Sequence, residues 1–370
     1  MLTWLTGTTD PRPLGLARVV IGAAALIRSL VAWRVLYKLT NPEILRTPNA
    51  DWTPEPTTPL VVLIVTVWVV AAILFMIGWR VSWTGPILLI AISATLALDQ
   101  QAYSNHLYLM AWLVLLLVLA DAGAGLNLSR IDRPVVRWGA LLLMMQMSVV
   151  YGFSALTKLN DEFLSGEVLA GVIRGGIVSF PDALWTPRFL SLLAGAVIIV
   201  ELFIALLIWR TRFRPAAFLL GLGLHTGITL LMASTLELLV FSLEMLALYP
   251  LFLTREKLVV IWDDDCGSCR GWVTRFRRSD VLRTLDVIGK SDPGNQVPAE
   301  DVERSLHLIH LDEVTNGFKA VAGILEHLVP TIWVAPILRL PGISHLGERW
   351  YRWQARRRSC LVGQAAGSRV

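Results

Sequence analysis

Lys257-Leu-Val-Val-Ile-Trp-Asp-Asp-Asp-Cys-Gly-Ser-Cys-Arg-Gly-Trp-Val-Thr-Arg-Phe-Arg-Arg278 is the stretch that decides the fold of the C-terminal part of the chain. Its apolar run 257–262 predicts a buried strand, and the run from 270 onward predicts a helix. Between them, Cys266 and Cys269 form a C-x-x-C pair at the predicted helix N-terminus, where backbone N–H groups and the helix dipole favour a thiolate. The segment therefore predicts a redox-active dithiol.

The residues around this segment continue the same pattern. Strand-like runs at 257–262 and 305–311 alternate with helical runs at 268–279 and 318–328. A strand followed by C-x-x-C and a helix is the thioredoxin-like context, so we predict one small thioredoxin-like α/β domain over 255–370. Within it, 348–358 is basic and rich in Trp, which predicts either docking on anionic lipid headgroups or a helix that packs its Trp face on the domain.

Residues 1–254 have the composition of a polytopic membrane protein. The whole chain is 55% hydrophobic and 16% charged, whereas soluble domains carry about 25% charged residues. We predict an α-helical bundle of about eight spans, because each crossing needs about 20 apolar residues and the pattern lacks the alternation of a membrane barrel. The predicted spans are 14–34, 59–79, 84–101, 105–121, 136–156, 188–209, 215–234 and 236–254.

Basic residues orient this bundle. Arginines concentrate in alternate loops, and we therefore expect both termini to be cytoplasmic and the protein to be integral to a bacterial plasma membrane. The net charge of +5 follows from this bias, and no nucleic-acid motif is visible, so we expect no nucleic-acid partner. The N-terminus lacks the basic region and cleavage site of a signal peptide, so the first span is expected to remain.

Ionisable residues inside the predicted spans are costly and indicate structural pairs or functional sites. Arg18 is expected to form an ion pair with Glu201 or Glu244. His225 is either a hydrogen-bonded interior histidine or a functional one, and Lys158 is either functional or an interfacial lysine that reaches toward water. No metal is expected, because the bundle has neither H-x-x-x-H nor a Cys cluster.

Several of these residues lie in segments that resemble a known family. The segments are Ser104-Asn105-His106-Leu-Tyr108, the stretch from Gln146 through Tyr151 to Lys158 and Glu167, Leu224-His225-Thr-Gly, and Arg18 with Gly22. They resemble the membrane domain of vitamin K-dependent γ-carboxylases, also called the horizontally transferred transmembrane (HTTM) domain. The resemblance covers roughly 10–254, and its most specific part is the lysine segment.

The resemblance implies a chemistry for these residues. In γ-carboxylases a lysine at the position of Lys158 is taken as the base that deprotonates reduced vitamin K, and a histidine at the position of His106 assists later proton transfer. The expected cofactor is therefore a vitamin K-type hydroquinone or another quinol. Lys158 and His106 are expected to line one pocket near the outer face, with Tyr151 and Gln146 on the Lys158 face of the helix. The residues assigned to cofactor or substrate binding are Asn105, Gln146, Tyr151, His225 and Arg18.

The C-terminal part resembles a second family, the DCC thiol–disulfide oxidoreductases, through Asp263, Cys266 and Cys269 in the pattern D-x-x-C-x-x-C. Cys266 is expected to be the more exposed, attacking thiol and Cys269 the resolving one. The carboxylates at 263–265 oppose a thiolate and favour a reducing couple. Zinc binding is the alternative interpretation of the pair. Cys360 is either a third redox partner or a free thiol.

The two resemblances together favour a γ-carboxylase-like, quinol-linked membrane enzyme with an attached dithiol module. The alternative is a non-enzymatic membrane scaffold or a maturation factor for a secreted peptide. A transporter is disfavoured, because inverted repeats and broken helix pairs are absent from the sequence. The expected partners are membrane lipid, a quinone, a secreted peptide substrate and a cytosolic thiol reductant.

Overall fold

A computed structural model describes residues 5–49, 51–173, 177, 184–232, 235–253, 257–311 and 313–357. The chain divides into two compact units. The first, the bundle unit, consists of Met1–Arg210 and Leu220–Phe252. The second, the C-terminal unit, consists of Thr211–Leu219 and Leu253–Val370. Cys360 lies outside the described residues.

The bundle unit is helical, and a helix occupies each of the eight predicted apolar segments. The helices are α1 (Arg12–Lys38), α2 (Thr58–Ile77), α3 (Val81–Leu98), α4 (Asn105–Leu119), α5 (Arg137–Thr157), α6 (Asp161–Leu164), α7 (Glu167–Ile173), α8 (Pro187–Leu207), α9 (Arg214–Leu231) and α10 (Thr235–Leu246). The first residues of α9, up to Leu219, belong to the C-terminal unit. Two short strands, β1 (Thr8–Thr9) and β2 (Val135–Val136), pair antiparallel.

In the described part of the chain, six helices are long and apolar enough to cross a membrane: α1, α2, α3, α5, α8 and α9 with the turn before it. Helix α4 has 15 residues and α10 has 12, fewer than the roughly 20 that a full crossing needs. Large apolar side chains such as Leu63, Ile90 and Ile199 are exposed on the spanning helices, as a lipid-facing surface requires. The protein is therefore an integral membrane protein, with a span count near the predicted one.

Arg18 does not form the predicted ion pair with Glu201 or Glu244. Its guanidinium is buried on α1 and donates hydrogen bonds to backbone carbonyl oxygens at the ends of two other segments. The acceptors are Ala122 O at 3.1 Å, Phe75 O at 2.5 Å, Met76 O at 2.7 Å, Gly125 O at 3.3 Å and Leu126 O at 2.7 Å. Arg18 therefore satisfies carbonyls that the ends of helices leave open, and this contact set is structural.

Arg18→Met is expected to destabilise the bundle by on the order of 3 kcal/mol, because several buried carbonyl groups lose their donor together. Thermal unfolding in detergent micelles measures this loss. Arg34→Met is the matched control, since Arg34 is exposed on the same helix and its removal should change little. Equal melting temperatures for the two variants would contradict the role of Arg18.

The C-terminal unit is a small α/β domain, as predicted. Its elements are β3 (Leu258–Trp262), α11 (Gly267–Ser279), β4 (Leu285–Gly289), α12 (Ala299–Arg304), β5 (His307–His310), β6 (Glu313–Asn316), α13 (Gly317–Leu325) and α14 (Pro341–Arg356). The sheet order is β4-β3-β5-β6, with β4 parallel to β3 and the other pairs antiparallel. Leu258, Val260, Phe276, Leu308 and Ile324 belong to its core. Sequence reasoning found β3, β5, α11 and α13 but missed β4 and β6.

Candidate functional site

His106 is held in the first turn of α4. Ser104 caps this helix, because its Oγ accepts a hydrogen bond from Leu107 N at 3.1 Å, which satisfies an open N–H group. The same Oγ accepts from Arg28 at 3.0 Å, and Arg28 pairs with Glu237 at 2.8 Å. The His106 ring lies 4.5 Å from the Phe241 ring, between centroids. The Phe241 ring thus packs against the imidazole, and the part-buried Arg28–Glu237 pair holds Ser104 at the start of the helix.

A cavity of about 560 Å³ opens beside His106. Its volume is within the range of small-molecule sites, and its walls combine apolar and aromatic side chains with a few polar groups, as such sites do. Asn105, His106 and Gln146 were predicted site residues, and the structure brings them together here. The lining residues are Asn105, His106, Tyr108, Leu109, Trp112, Gln146, Val150, Phe153, Ser154, Thr157 and Phe241.

Lys158 follows the last turn of α5 and is engaged by a carboxylate. Its Nζ donates to Glu201 Oε1 at 2.8 Å and Oε2 at 2.9 Å, to Ser154 O at 3.3 Å, and to Ser154 Oγ. The Lys158 side chain is 25% exposed and that of Glu201 only 6%. These contacts use the three N–H donors of an ammonium group. Lys158 is therefore half of an ion pair, and Glu201 is its partner.

Ser154 connects this ion pair to the cavity. Its Oγ accepts from Lys158 and donates to Glu201 Oε1 at 2.9 Å, and its side chain also lines the cavity. Lys158 is not among the lining residues, so the prediction that it lines the pocket with His106 is wrong in that detail. The ammonium lies one hydrogen bond behind the wall, and His106 lies in the wall itself.

Tyr151 and His225 belong to a different network. Tyr151 Oη lies 2.7 Å from His225 Nε2 and 2.9 Å from Tyr249 Oη, and His225 Nδ1 lies 3.3 Å from Ser242 Oγ. All four residues are buried. Residues five apart on a helix differ by about 140°, so Gln146 and Tyr151 cannot share a face, and the prediction that both follow Lys158 is wrong. His225 is a hydrogen-bonded interior histidine.

The dithiol lies where the sequence placed it, at the N-terminus of α11. Cys266 caps the helix, and its Sγ accepts from Cys269 N at 3.4 Å. Cys266 is 0% exposed, whereas Cys269 is partly exposed. The prediction that Cys266 is the more exposed thiol is therefore wrong, because the capping position turns its sulfur toward the first helical turn.

Lys290 offsets the acidic turn before the dithiol. Its Nζ lies 3.0 Å from Asp263, 3.0 Å from Asp265 and 2.8 Å from Glu303. These hydrogen bonds raise the pKa of Lys290, and the one to Glu303 has the largest effect, followed by those to Asp265 and Asp263. Sequence reasoning missed this cation, which lies beside the turn because β4 pairs with β3 up to Gly289. The acidic turn therefore carries a paired cation that the sequence alone did not reveal.

Cys269 borders a small apolar cavity of about 110 Å³. Helices α11, α13 and α14 supply most of its walls, and Arg357 is its cationic member. The lining residues are Ser268, Cys269, Trp272, Val273, Phe276, Leu306, Val321, Trp350, Tyr351, Gln354 and Arg357. A sulfur at the edge of an apolar cavity can react with a ligand that the cavity holds.

Both parts of the chain match models of known protein families. A family model described as the HTTM domain matches residues 7–256, and a model described as a DCC1-like thiol–disulfide oxidoreductase matches residues 260–364. No curated protein and no solved structure matches the chain.

Proposed function

The chain belongs to the HTTM family, with a DCC1-like thiol–disulfide oxidoreductase domain after it, and from this premise we propose a quinol-linked membrane redox enzyme. In this proposal the bundle unit binds a quinol head group in the cavity beside His106. The C-terminal unit carries out dithiol–disulfide exchange through Cys266 and Cys269. The observation that supports the bundle assignment is the cavity itself, with an imidazole in its wall and an ion pair behind it.

The lining residues fit a quinol ring. Trp112, Phe153 and Phe241 offer aromatic surface, and Asn105, His106 and Gln146 offer hydrogen-bonding groups at the same cavity. When bound, a quinol would supply two protons and two electrons, and the electrons would pass to an external oxidant such as dioxygen. His106 and Asn105 orient its oxygens, and the apolar wall excludes water from the ring.

Lys158 and Glu201 hold and move the proton. Because Lys158 already uses its three donors, it can accept a proton only after it has passed one to Glu201, 2.8 Å away. Ser154 touches both groups and the cavity, so it can relay a proton between the ligand and the pair. We assign Lys158 the role of base and Glu201 that of its proton acceptor.

Exchange in the C-terminal unit proceeds in two steps. One thiolate attacks a substrate disulfide and forms a mixed disulfide, and the second thiol then displaces the reduced substrate. By exposure, Cys269 is the sulfur that a substrate reaches first.

Quinone extraction tests the bundle assignment. The full-length protein, purified in lipid nanodiscs and extracted with organic solvent, is expected to release a lipid-soluble quinone in near-stoichiometric amount. Phe153→Ala removes part of the cavity wall and should lower the yield of quinone. Ile199→Ala, on the lipid-facing surface, should not lower it. Equal loss in both variants, or only a trace of quinone, would refute the assignment.

We also propose that the C-terminal unit is cytoplasmic, on the basis of the arginines in alternate loops. A membrane-impermeant maleimide is expected to miss Cys269 in intact cells and to label it after lysis. Labelling of Cys269 to the same extent before lysis would contradict the proposed topology.

A further inference from the structure

Helix α14 has two faces with different partners. One face packs on the C-terminal unit, where Tyr351 Oη accepts from Leu306 N at 2.8 Å and Glu348 accepts from Phe318 N at 3.1 Å. The other face carries Ile343, Leu346, Trp350 and Trp353, which are 37%, 65%, 45% and 47% exposed. Their spacing places these four side chains within an arc of about 80°. The helix therefore packs on the domain and still presents a second, exposed apolar stripe.

The stripe continues onto α11. Trp272 is exposed, and its ring meets that of Trp350 edge to face at 6.3 Å between centroids. We call Trp272, Ile343, Leu346, Trp350 and Trp353 the Trp face. A contiguous apolar patch of this kind on a folded surface marks an interaction site.

Two exposed arginines lie over rings of the Trp face. Arg275 lies over Trp272 at 5.1 Å, and Arg357 lies over Trp353 at 4.0 Å, each measured to the ring centroid. Helix α11 contains no acidic residue, and Glu348 of α14 is engaged by Phe318 N and Arg352. The face thus suits a partner that is both apolar and anionic. The exposed arginines on the two helices and at the end of α14 are Arg270, Arg275, Arg277, Arg278, Arg349, Arg352, Arg356 and Arg357.

The C-terminal unit is built onto a membrane-length helix. Thr211–Leu219, which belongs to this unit, begins the segment Thr211–Leu231 that is long and apolar enough to span a bilayer. Within the unit, Phe218 lies 5.7 Å from Trp333 between ring centroids. Because the unit includes the end of a helix that is long enough to span a bilayer, we expect it to lie at a membrane surface.

From these observations we propose that the Trp face docks on the anionic headgroup region of the membrane. Tryptophan prefers this region, because its ring is apolar and its indole N–H is polar. Each arginine near an anionic leaflet adds attraction, and the exposed apolar side chains enter the boundary between headgroups and acyl chains. Trp272, Trp350 and Arg357 also line the cavity beside Cys269. Docking therefore places that cavity at the lipid surface, where a membrane-bound substrate can reach the thiol of Cys269.

Photocrosslinking in the full-length protein tests this docking. Leu346 or Trp353 is replaced by p-benzoylphenylalanine, and the protein is placed in nanodiscs of phosphatidylglycerol and phosphatidylcholine. Illumination is expected to give phospholipid adducts at both positions. The matched control position is Leu311, an exposed apolar residue that follows β5 and is not part of the Trp face, where no lipid adduct is expected.

Charge and salt separate docking from chance proximity. Nanodiscs of phosphatidylcholine alone, or 1 M salt, should greatly reduce the adducts, since salt screens surface charges. Arg349→Gln with Arg356→Gln should weaken docking about thirty-fold, given the attraction per arginine. Crosslinks from position 346 to a peptide of the same chain would show that protein covers the face and would overturn the proposal. Lipid adducts no more frequent than at position 311 would do the same.

Discussion

Cys266→Ser and Cys269→Ser are each expected to abolish thiol–disulfide exchange by the full-length protein. Both sulfurs are needed, because one forms the mixed disulfide and the other resolves it. The measurement is reduction of a disulfide-linked peptide by the dithiol-reduced enzyme. Cys360→Ser is the control and should retain exchange.

The same variants report the order of attack. With the partly exposed Cys269 alone, as in Cys266→Ser, a stable mixed disulfide should accumulate and be visible by mass spectrometry. If the mixed disulfide accumulated only in Cys269→Ser, where Cys266 remains, Cys266 would be the attacking thiol. Full exchange by either single variant, or tightly bound zinc that blocks exchange in the wild type, would overturn the redox role.

Lys158→Arg is expected to lower quinol turnover by about 10²–10⁴-fold, the usual contribution of general acid–base catalysis. The guanidinium keeps the charge opposite Glu201 but cannot release a proton. The fold should therefore persist while activity is lost. Steady-state quinol oxidation in nanodiscs measures the effect, and wild-type turnover by this variant would remove Lys158 from the mechanism.

Lys158→Met distinguishes activity from folding. It leaves the buried Glu201 without its cation, which is expected to cost about 3 kcal/mol of stability. Lys158→Met with Glu201→Gln should regain that stability, because no unpaired charge remains, but should stay inactive. If the double variant were active, the pair would be structural only.

Local patterns predicted most of the fold. The apolar runs located the helices of the bundle unit, and the strand, C-x-x-C and helix order located the dithiol, because these features depend on residues close together in the chain. The predicted spans over α4 and α10 are shorter in the structure. Helix α4 begins at Asn105, as predicted, but ends at Leu119 rather than at 121. Helix α10 ends at Leu246 rather than at 254.

The partners of the site residues could not be predicted in the same way. Glu201 is 43 residues from Lys158, and the hydrogen bond between them exists only once α5 and α8 pack. Lys290 reaches Asp263 because β4, which sequence reasoning missed, runs beside β3. Arg18 binds backbone carbonyls, which carry no side-chain signature in a sequence. The sequence showed Glu201 only as an acidic residue inside a predicted span and did not indicate that Lys158 is its partner.

The central claim is that a quinol head group occupies the cavity beside His106. Its most direct test is photolabelling of the nanodisc-embedded protein with an azido-naphthoquinone, followed by peptide mapping. The account predicts adducts on the cavity walls, in 105–112 and 146–157, that disappear when excess unlabelled naphthoquinone is present. Adducts confined to lipid-facing side chains such as Ile90 and Ile199, or unchanged by excess naphthoquinone, would contradict it.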